Sequence, residues 1–213
     1  MPIIVGLISQ KGGVVKSTLS RALAVEAARN GLSVHIADLD AQQFTVTEWA
    51  ALRTEIGATP TVTAATYQTL KDVIDNAPES ELLIIDGPAR TSAGTLDIAK
   101  VADLIVQPTG ASRDDLNPAI RTFHELVAKR IPSAKLVMAL RRVLGDSEAA
   151  EARRYVIHAG YAVLDGHLTE RISYRTAQNL GRAITETDYE SLNDKARELI
   201  NGLVAHIERK AAA

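Results

Sequence analysis

Ser9-Gln10-Lys11-Gly12-Gly13-Val14-Val15-Lys16-Ser17-Thr18 joins an unbroken apolar run, Ile3 to Ile8, to a stretch in which Leu19, Leu23, Ala24 and Ala27 recur at helical spacing. A continuous apolar run marks a strand buried on both faces, as in a parallel sheet, and Gly31 stands where a helix C-cap belongs. The quoted stretch therefore predicts a loop between a core strand and a helix N-terminus. Free backbone N–H groups and the positive end of the helix dipole hold an anion there, with Lys16 as counter-charge and Ser17 as a magnesium ligand. On this reading Lys11, Gly12, Gly13, Val14, Val15, Lys16, Ser17 and Thr18 line the phosphates of a nucleotide.

Working outward, Ser33-Val34-His35-Ile36-Ala37-Asp38-Leu39-Asp40 predicts a second strand ending in two carboxylates, and Leu82-Leu83-Ile84-Ile85-Asp86-Gly87-Pro88 predicts a central strand delivering a third. Ligands of open α/β sheets lie outside the carboxyl ends of the strands, so Asp38, Asp40 and Asp86 are expected at the mouth of the loop. Asp86 has the Walker B position, where an aspartate holds magnesium through water. Capping of the following helix is the alternative for the Asp38/Asp40 pair. Together these features predict an α/β fold, a three-layer, doubly wound and mostly parallel sheet of the P-loop type, in one domain over residues 1–213 that ends in a helix.

The pattern Lys11-Gly12-Gly13-x-x-Lys16-Ser17-Thr18 resembles the deviant phosphate loop of the ParA/MinD ATPases, and the chain as a whole resembles the small, single-domain ParA-type partition ATPases from residue 3 to about 188. The resemblance implies ATP and Mg2+ as cofactors and a homodimer that forms on ATP binding, with Lys11 reaching the partner's phosphates. It makes Asp40 and Lys11 the catalytic residues, with Ser17, Asp38 and Asp86 around the metal. Asp38-Leu39-Asp40-Ala41-Gln42-Gln43 is similar to the family's Asp-x-Asp-Pro-Gln motif, with Ala41 for proline. Gly87-Pro88-Ala89-Arg90 falls at the switch segment, and Pro108 at the position that lies against adenine. Ser112-Arg113-Asp114-Asp115-Leu116 is similar to the loop that opens the next helix. Leu168 to Ala177, with Gly181 and Ile184-Thr185-Glu186, resembles a late segment around which basic residues bind DNA without sequence preference. That implies Arg171 and Arg175, then Lys195 and Arg197, as the DNA contacts, and a cargo adaptor that stimulates hydrolysis. The expected setting is cytoplasmic, on the nucleoid, with no membrane partner.

Two loop positions depart from the usual pattern, Gln10 and Val15. Glycine at position 15 would allow strained backbone angles and close approach to phosphate, whereas valine is β-branched and ill suited to positive φ. Val15 is therefore expected to impair nucleotide binding or hydrolysis.

Bulk properties narrow the rest. The 213 residues carry 24 basic and 26 acidic side chains, a net charge of −2, so there is no global attraction to nucleic acid. Between Leu136 and Asp194, however, every basic residue other than histidine is an arginine, the residue suited to bidentate phosphate contact. No cysteine is present, which excludes disulfides, thiolate nucleophiles and cysteine-held iron–sulfur clusters. With aromatics at 4%, the core has to be Ala, Val, Leu and Ile. Helices are expected at Phe44–Ile56, Tyr67–Asn76, Ser92–Lys100, Ser112 to about Arg130, Ser147–His158 (N-cap Ser147) and 189–210. Strands are expected at Thr59–Thr63 on an edge, Ala102–Pro108, Lys135–Arg142 and Ala162–Leu164. Two other readings stand beside the partition ATPase: a MinD-like membrane-cycling regulator, and a metabolic P-loop enzyme of the dethiobiotin synthetase type.

Overall fold

In the computed structural model, residues 2–9, 16–40, 45–89 and 92–211 are described. Seven strands form one sheet, β1 (Ile3–Ser9), β2 (Val34–Asp38), β3 (Thr63–Thr66), β4 (Leu82–Ala89), β5 (Leu104–Thr109), β6 (Leu136–Leu140) and β7 (Ala162–Val163), in the order β3-β2-β4-β1-β5-β6-β7 with every pairing parallel. Helices α1 (Lys16–Arg29), α2 (Thr45–Glu55), α7 (Ile172–Asn179) and α8 (Glu190–Ala211) contribute to the apolar cluster on one face; α3 (Leu70–Asn76), α4 (Ser92–Val101), α5 (Arg113–Ala128) and α6 (Asp146–His158) contribute to the cluster on the other. The doubly wound arrangement expected from the sequence is the one observed.

The two continuous apolar runs become the centre of the sheet. β1 lies between β4 and β5, and β4 between β1 and β2, so their residues Val5, Leu7, Ile84 and Ile85 are shielded on both faces and are fully buried. Gly6 admits α4 close to β1: a Cβ there would lie 2.5 Å from Ile98. Chain order reverses at β1, with β4 and β2 to one side and β5 and β6 to the other, and the crevice at such a reversal is where α/β sheets take ligands. At the far end of α1, Gly31 has φ 90° and passes the chain on, while the Leu32 N–H bonds the Ala27 carbonyl at 3.2 Å.

Several boundaries differ from expectation for local reasons. The edge strand is Thr63–Thr66 rather than Thr59–Thr63, because the ladder with β2 starts at Thr63 opposite His35 and Pro60 has no N–H to give. Helix α3 starts at Leu70, after Thr69 and Asp72 close a reciprocal capping box. Ser147 does not cap α6. The helix begins at Asp146 after Gly145, and Glu148 accepts from the Leu144 N–H at 2.6 Å. Strand β6 is shorter than Lys135–Arg142, since Lys135 belongs to a single 3-10 turn and Arg142 has φ 52°. Helix α7 was not anticipated. The stripe Leu192, Ala196, Leu199, Ile200, Leu203 and Ile207 on α8 packs into the core cluster that also holds the apolar face of α1.

Candidate functional site

β2 and β4 run side by side in register, with Asp38 opposite Asp86, and the Leu39 N–H donates to the Asp86 carbonyl at 3.0 Å. Both carboxylates are thereby brought to the carboxyl edge beside β1, from which the chain leads to α1. Asp38 is fully buried; its Oδ1 accepts the Asp40 N–H at 2.9 Å and its Oδ2 accepts the Val46 N–H at 3.2 Å. It thus fixes the turn that carries Asp40 and caps the start of α2. Burial pushes its pKa up, and the two backbone donors oppose that push.

Asp86 is treated otherwise. It is 1% exposed, and neither carboxylate oxygen has a hydrogen-bond partner among the described residues. Burial pushes its pKa up to about 6 against the pull of Ser17 and Lys16. Ser17 is near enough to favour the charged form but is not in hydrogen-bond geometry, and Asp86 stays unpaired among the described residues. A buried carboxyl group with no donors to satisfy it is costly unless something else comes to it.

Behind the pair stands Arg21, one turn into α1. Its Nη1 donates to Gln178 Oε1 at 3.2 Å, its Nη2 donates to the Thr45 carbonyl, and its guanidinium lies 5.4 Å from the centre of the Trp49 ring. Burial pushes its pKa down to about 10, while Asp86 and Asp38 pull the other way. Gln178 also accepts from the Thr18 hydroxyl at 2.8 Å. Helix α7 is therefore fastened to the first turns of α1 by one side chain. Neither Arg21 nor Gln178 was picked out from the sequence. The only signal was an arginine between Leu19 and Leu23 on a helix whose other side chains there are apolar or small.

Of the predicted site residues, Lys16 begins α1 and is buried, Ser17 and Thr18 follow it, and Ser17 accepts from the Thr45 hydroxyl at 3.5 Å. Asp38, Asp40 and Asp86 converge with them. Lys11, Gly12, Gly13, Val14 and Val15 lie outside the described residues, as do Ala41, Gln42, Gln43 and Arg90 of the neighbouring motifs. Pro108 lies within β5, buried and opposite Ala139, with the strand continuing to Thr109.

The arginine tract divides. Arg141 is buried, Arg153 donates to the carbonyls of Leu164 and Gly166, Arg142 pairs with Glu170 and Arg182 with Asp188. Arg171, at the N-cap of α7, and Arg175, on the helix, are exposed and, with exposed Lys195, make no ion pair among the described residues. Arg197 is held by Glu190 at 2.5 Å and Asp194 at 3.2 Å, so its charge is locally balanced.

The site suits a magnesium ion by its chemistry: an unpaired buried carboxylate at Asp86, a hydroxyl at Ser17 and the spare lone pairs of Asp38 are hard oxygen donors. Among the described residues no group of three or more His, Cys, Asp or Glu is placed to hold a metal alone.

A sequence profile described as the CobQ/CobB/MinD/ParA nucleotide binding domain matches residues 5–184. No curated protein matches the sequence. Among solved structures, the chain is similar to a plasmid partition protein of Borrelia burgdorferi bound to AMPPNP, at 14% identity over 96% of this chain and 99% of that one, with a TM-score of 0.72. It is similar to MinD of Pyrococcus horikoshii in complex with Mg-ADP, at 14% identity, 99% of both chains and a TM-score of 0.74. Cyanothece McdA in an ATP complex aligns at 15% identity, 95% of this chain and 96% of that one, TM-score 0.69. At such identities the likeness is one of fold.

Proposed function

Because the chain belongs to the CobQ/CobB/MinD/ParA nucleotide-binding family, we propose that it is a positioning ATPase of the partition type. It dimerises around ATP and Mg2+, binds DNA without sequence preference, and lets go when an adaptor on the cargo stimulates hydrolysis. One observation carries the reading: buried, unpaired Asp86 stands beside the Asp38 turn that presents Asp40, next to the N-terminus of α1.

The residues divide the work. The loop from Lys11 to Thr18 binds the phosphates through backbone N–H groups and Lys16, and Lys11 serves the partner subunit's nucleotide. Asp40, held by the N–H bond from its own backbone to Asp38, orients the attacking water. Asp86, Ser17 and Asp38 hold the metal's water shell, and the ion when bound neutralises charge developing on the transferred phosphoryl group. Buried between two subunits, the nucleotide stabilises the dimer, and hydrolysis removes the γ-phosphate contacts. Arg171 and Arg175 offer free guanidinium groups to DNA phosphates from α7, which Gln178 ties to Thr18 and Arg21. Pro108 is the adenine contact in this reading, from one strand away. Arg197 would first have to leave Glu190 and Asp194, so Lys195 is the better contact on α8.

Val15 restrains the cycle. Strain of the size expected for valine in a phosphate loop corresponds to roughly ten- to a hundredfold in affinity or turnover, so Val15→Gly is expected to raise one of them by that factor. The reading itself is tested by DNA binding with ATP, with ADP and without nucleotide, on protein whose oligomeric state is followed in parallel. ATP-dependent dimers that alone retain DNA support it. ATP-dependent pelleting with lipid vesicles in place of DNA binding would indicate the MinD-like cycle, and an ATP-bound monomer a metabolic enzyme.

A further inference from the structure

Thr18 closes the stretch that the reading above places around the phosphates, and its side chain is already engaged: the hydroxyl donates to Gln178 Oε1 at 2.8 Å, across 160 positions of sequence. The same oxygen accepts from Arg21 Nη1 at 3.2 Å, and Gln178 Nε2 donates to the Tyr174 carbonyl, one turn back in α7, at 3.2 Å. With donors at its oxygen and a carbonyl at its nitrogen, the amide has one orientation that satisfies all three contacts.

A threonine hydroxyl has a single proton to give. Phosphate oxygens are acceptors, and a charged acceptor forms the stronger hydrogen bond. Gln178 and a nucleotide phosphate are therefore competitors for the Thr18 proton. The outcome bears on α7, because this helix has eight residues and buries only Tyr174 and Ala177, so little apolar packing fixes its place. A second polar tie, from the Tyr174 hydroxyl to the Leu192 carbonyl at 3.0 Å, runs to α8 and not to α1. Without the Thr18 bond, Gln178 holds α1 through Arg21 alone, by the longer of its two contacts there.

We propose that Gln178 is a positioning residue for the phosphate site: it withholds the Thr18 hydroxyl from the nucleotide, yields it when phosphate binds, and so loosens α7, the helix that begins after Arg171 and carries Arg175. This rests on the nucleotide-binding reading above. Nucleotide affinity and the anchoring of α7 then depend on one hydrogen bond, and by linkage each changes the other by the same factor.

The test measures calorimetric binding of Mg-ADP and hydrogen exchange of the α7 amides in the wild type, Gln178→Leu, Thr18→Val and the double variant. Gln178→Leu removes the competitor and should bind Mg-ADP ~2- to 10-fold more tightly, the net worth of one hydrogen bond. In the Thr18→Val background the same substitution should leave the affinity unchanged. Mg-ADP should speed exchange in α7 of the wild type, whereas in Gln178→Leu exchange should be fast with or without the ligand. An affinity that Gln178→Leu lowers or leaves alone would make the contact a merely structural tie and overturn the proposal. A gain that persists in the Thr18→Val background would also overturn it, since the effect would then run through Arg21. Where circular dichroism shows Gln178→Leu unfolded, Gln178→Asn, whose shorter stem withdraws the amide from Thr18, takes its place with the same expectations. A wild type that binds Mg-ADP with no change in α7 overturns the proposal and leaves the nucleotide site standing; one that does not bind Mg-ADP overturns both.

Discussion

β2 ends at Asp38 and β4 carries Asp86 opposite it in register, yet the fold uses the two carboxylates in opposite ways. Asp38 gives one oxygen to each of two backbone N–H groups and so shapes the turn to α2. Asp86, its register partner, is as deeply buried and has no such donor. The lesson is that a row of acids at a strand edge divides between scaffold and chemistry by where the backbone donors point. Beyond β2, the N–H groups of Asp40 and Val46 both reach the Asp38 carboxylate. The chain after Asp86 continues as strand to Ala89 and offers it none.

The contrast breaks most readily at Asp86. Asp86→Asn is expected to lower Mg2+-dependent ATP hydrolysis at least ~100-fold, measured as steady-state phosphate release. The same substitution should leave the metal-free fold no less stable at neutral pH. Asp86 titrates near 6 in the folded chain against 3.8 for the ordinary group, so the unfolded chain releases its proton first. Stability of the metal-free wild type should therefore fall as pH rises from about 4 to 6, and remain lower above that by about 3 kcal/mol. Chemical denaturation in EDTA should show this slope for the wild type and its loss in Asp86→Asn; an unchanged slope would mean that Asp86 is not the buried acid described.

Asp40→Ala sharpens the comparison from the β2 side. It should cost hydrolysis ~100-fold, as expected for removing a group that orients the attacking water, while calorimetric ATP affinity stays nearly intact; loss of affinity instead would make Asp40 structural. Next in size, Asp38→Ala strips two buried N–H groups of their acceptor and should destabilise the fold by about 2 kcal/mol, read as a lower denaturation midpoint. A stability loss at Asp86 and none at Asp38 would reverse the assignment of roles. The smallest effect lies away from the edge: Arg171→Ala or Arg175→Ala should weaken DNA binding alike for all sequences and shallow the affinity slope against log salt by about one unit per contact.

What could be read from the sequence follows from how local each determinant is. β1 and β4 were legible because burial on both faces writes an unbroken apolar run, and an aspartate ending such a run at a ligand edge is a signal carried within a few residues. Asp38 was read with both of its roles open, and the structure shows the cap, because one of the N–H groups that reach it belongs to Val46, eight residues further along the chain. Helix α7 was missed: eight residues with Tyr174 and Ala177 as their only buried members give too short a period to recognise. Arg53, 1% exposed and paired with Glu186 at 2.7 Å, and Arg141 were indistinguishable from surface arginines, since the partners or vacancies that define them come from segments distant in sequence. Gln178 joins residues about 160 positions apart and leaves no local trace at all.

The chain's sole tryptophan occupies a revealing place. Trp49 is buried, its indole N–H donates to the Arg182 carbonyl at 3.0 Å, and the guanidinium groups of Arg21 and Arg53 lie 5.4 and 5.6 Å from its ring centre. Arg21 is the group that also feels Asp86 and Asp38. The protein consequently carries a built-in optical gauge: whatever changes the charge or position of Arg21 changes the surroundings of a single fluorophore. Filling of the acidic edge can be followed by intrinsic emission, in real time and without a label.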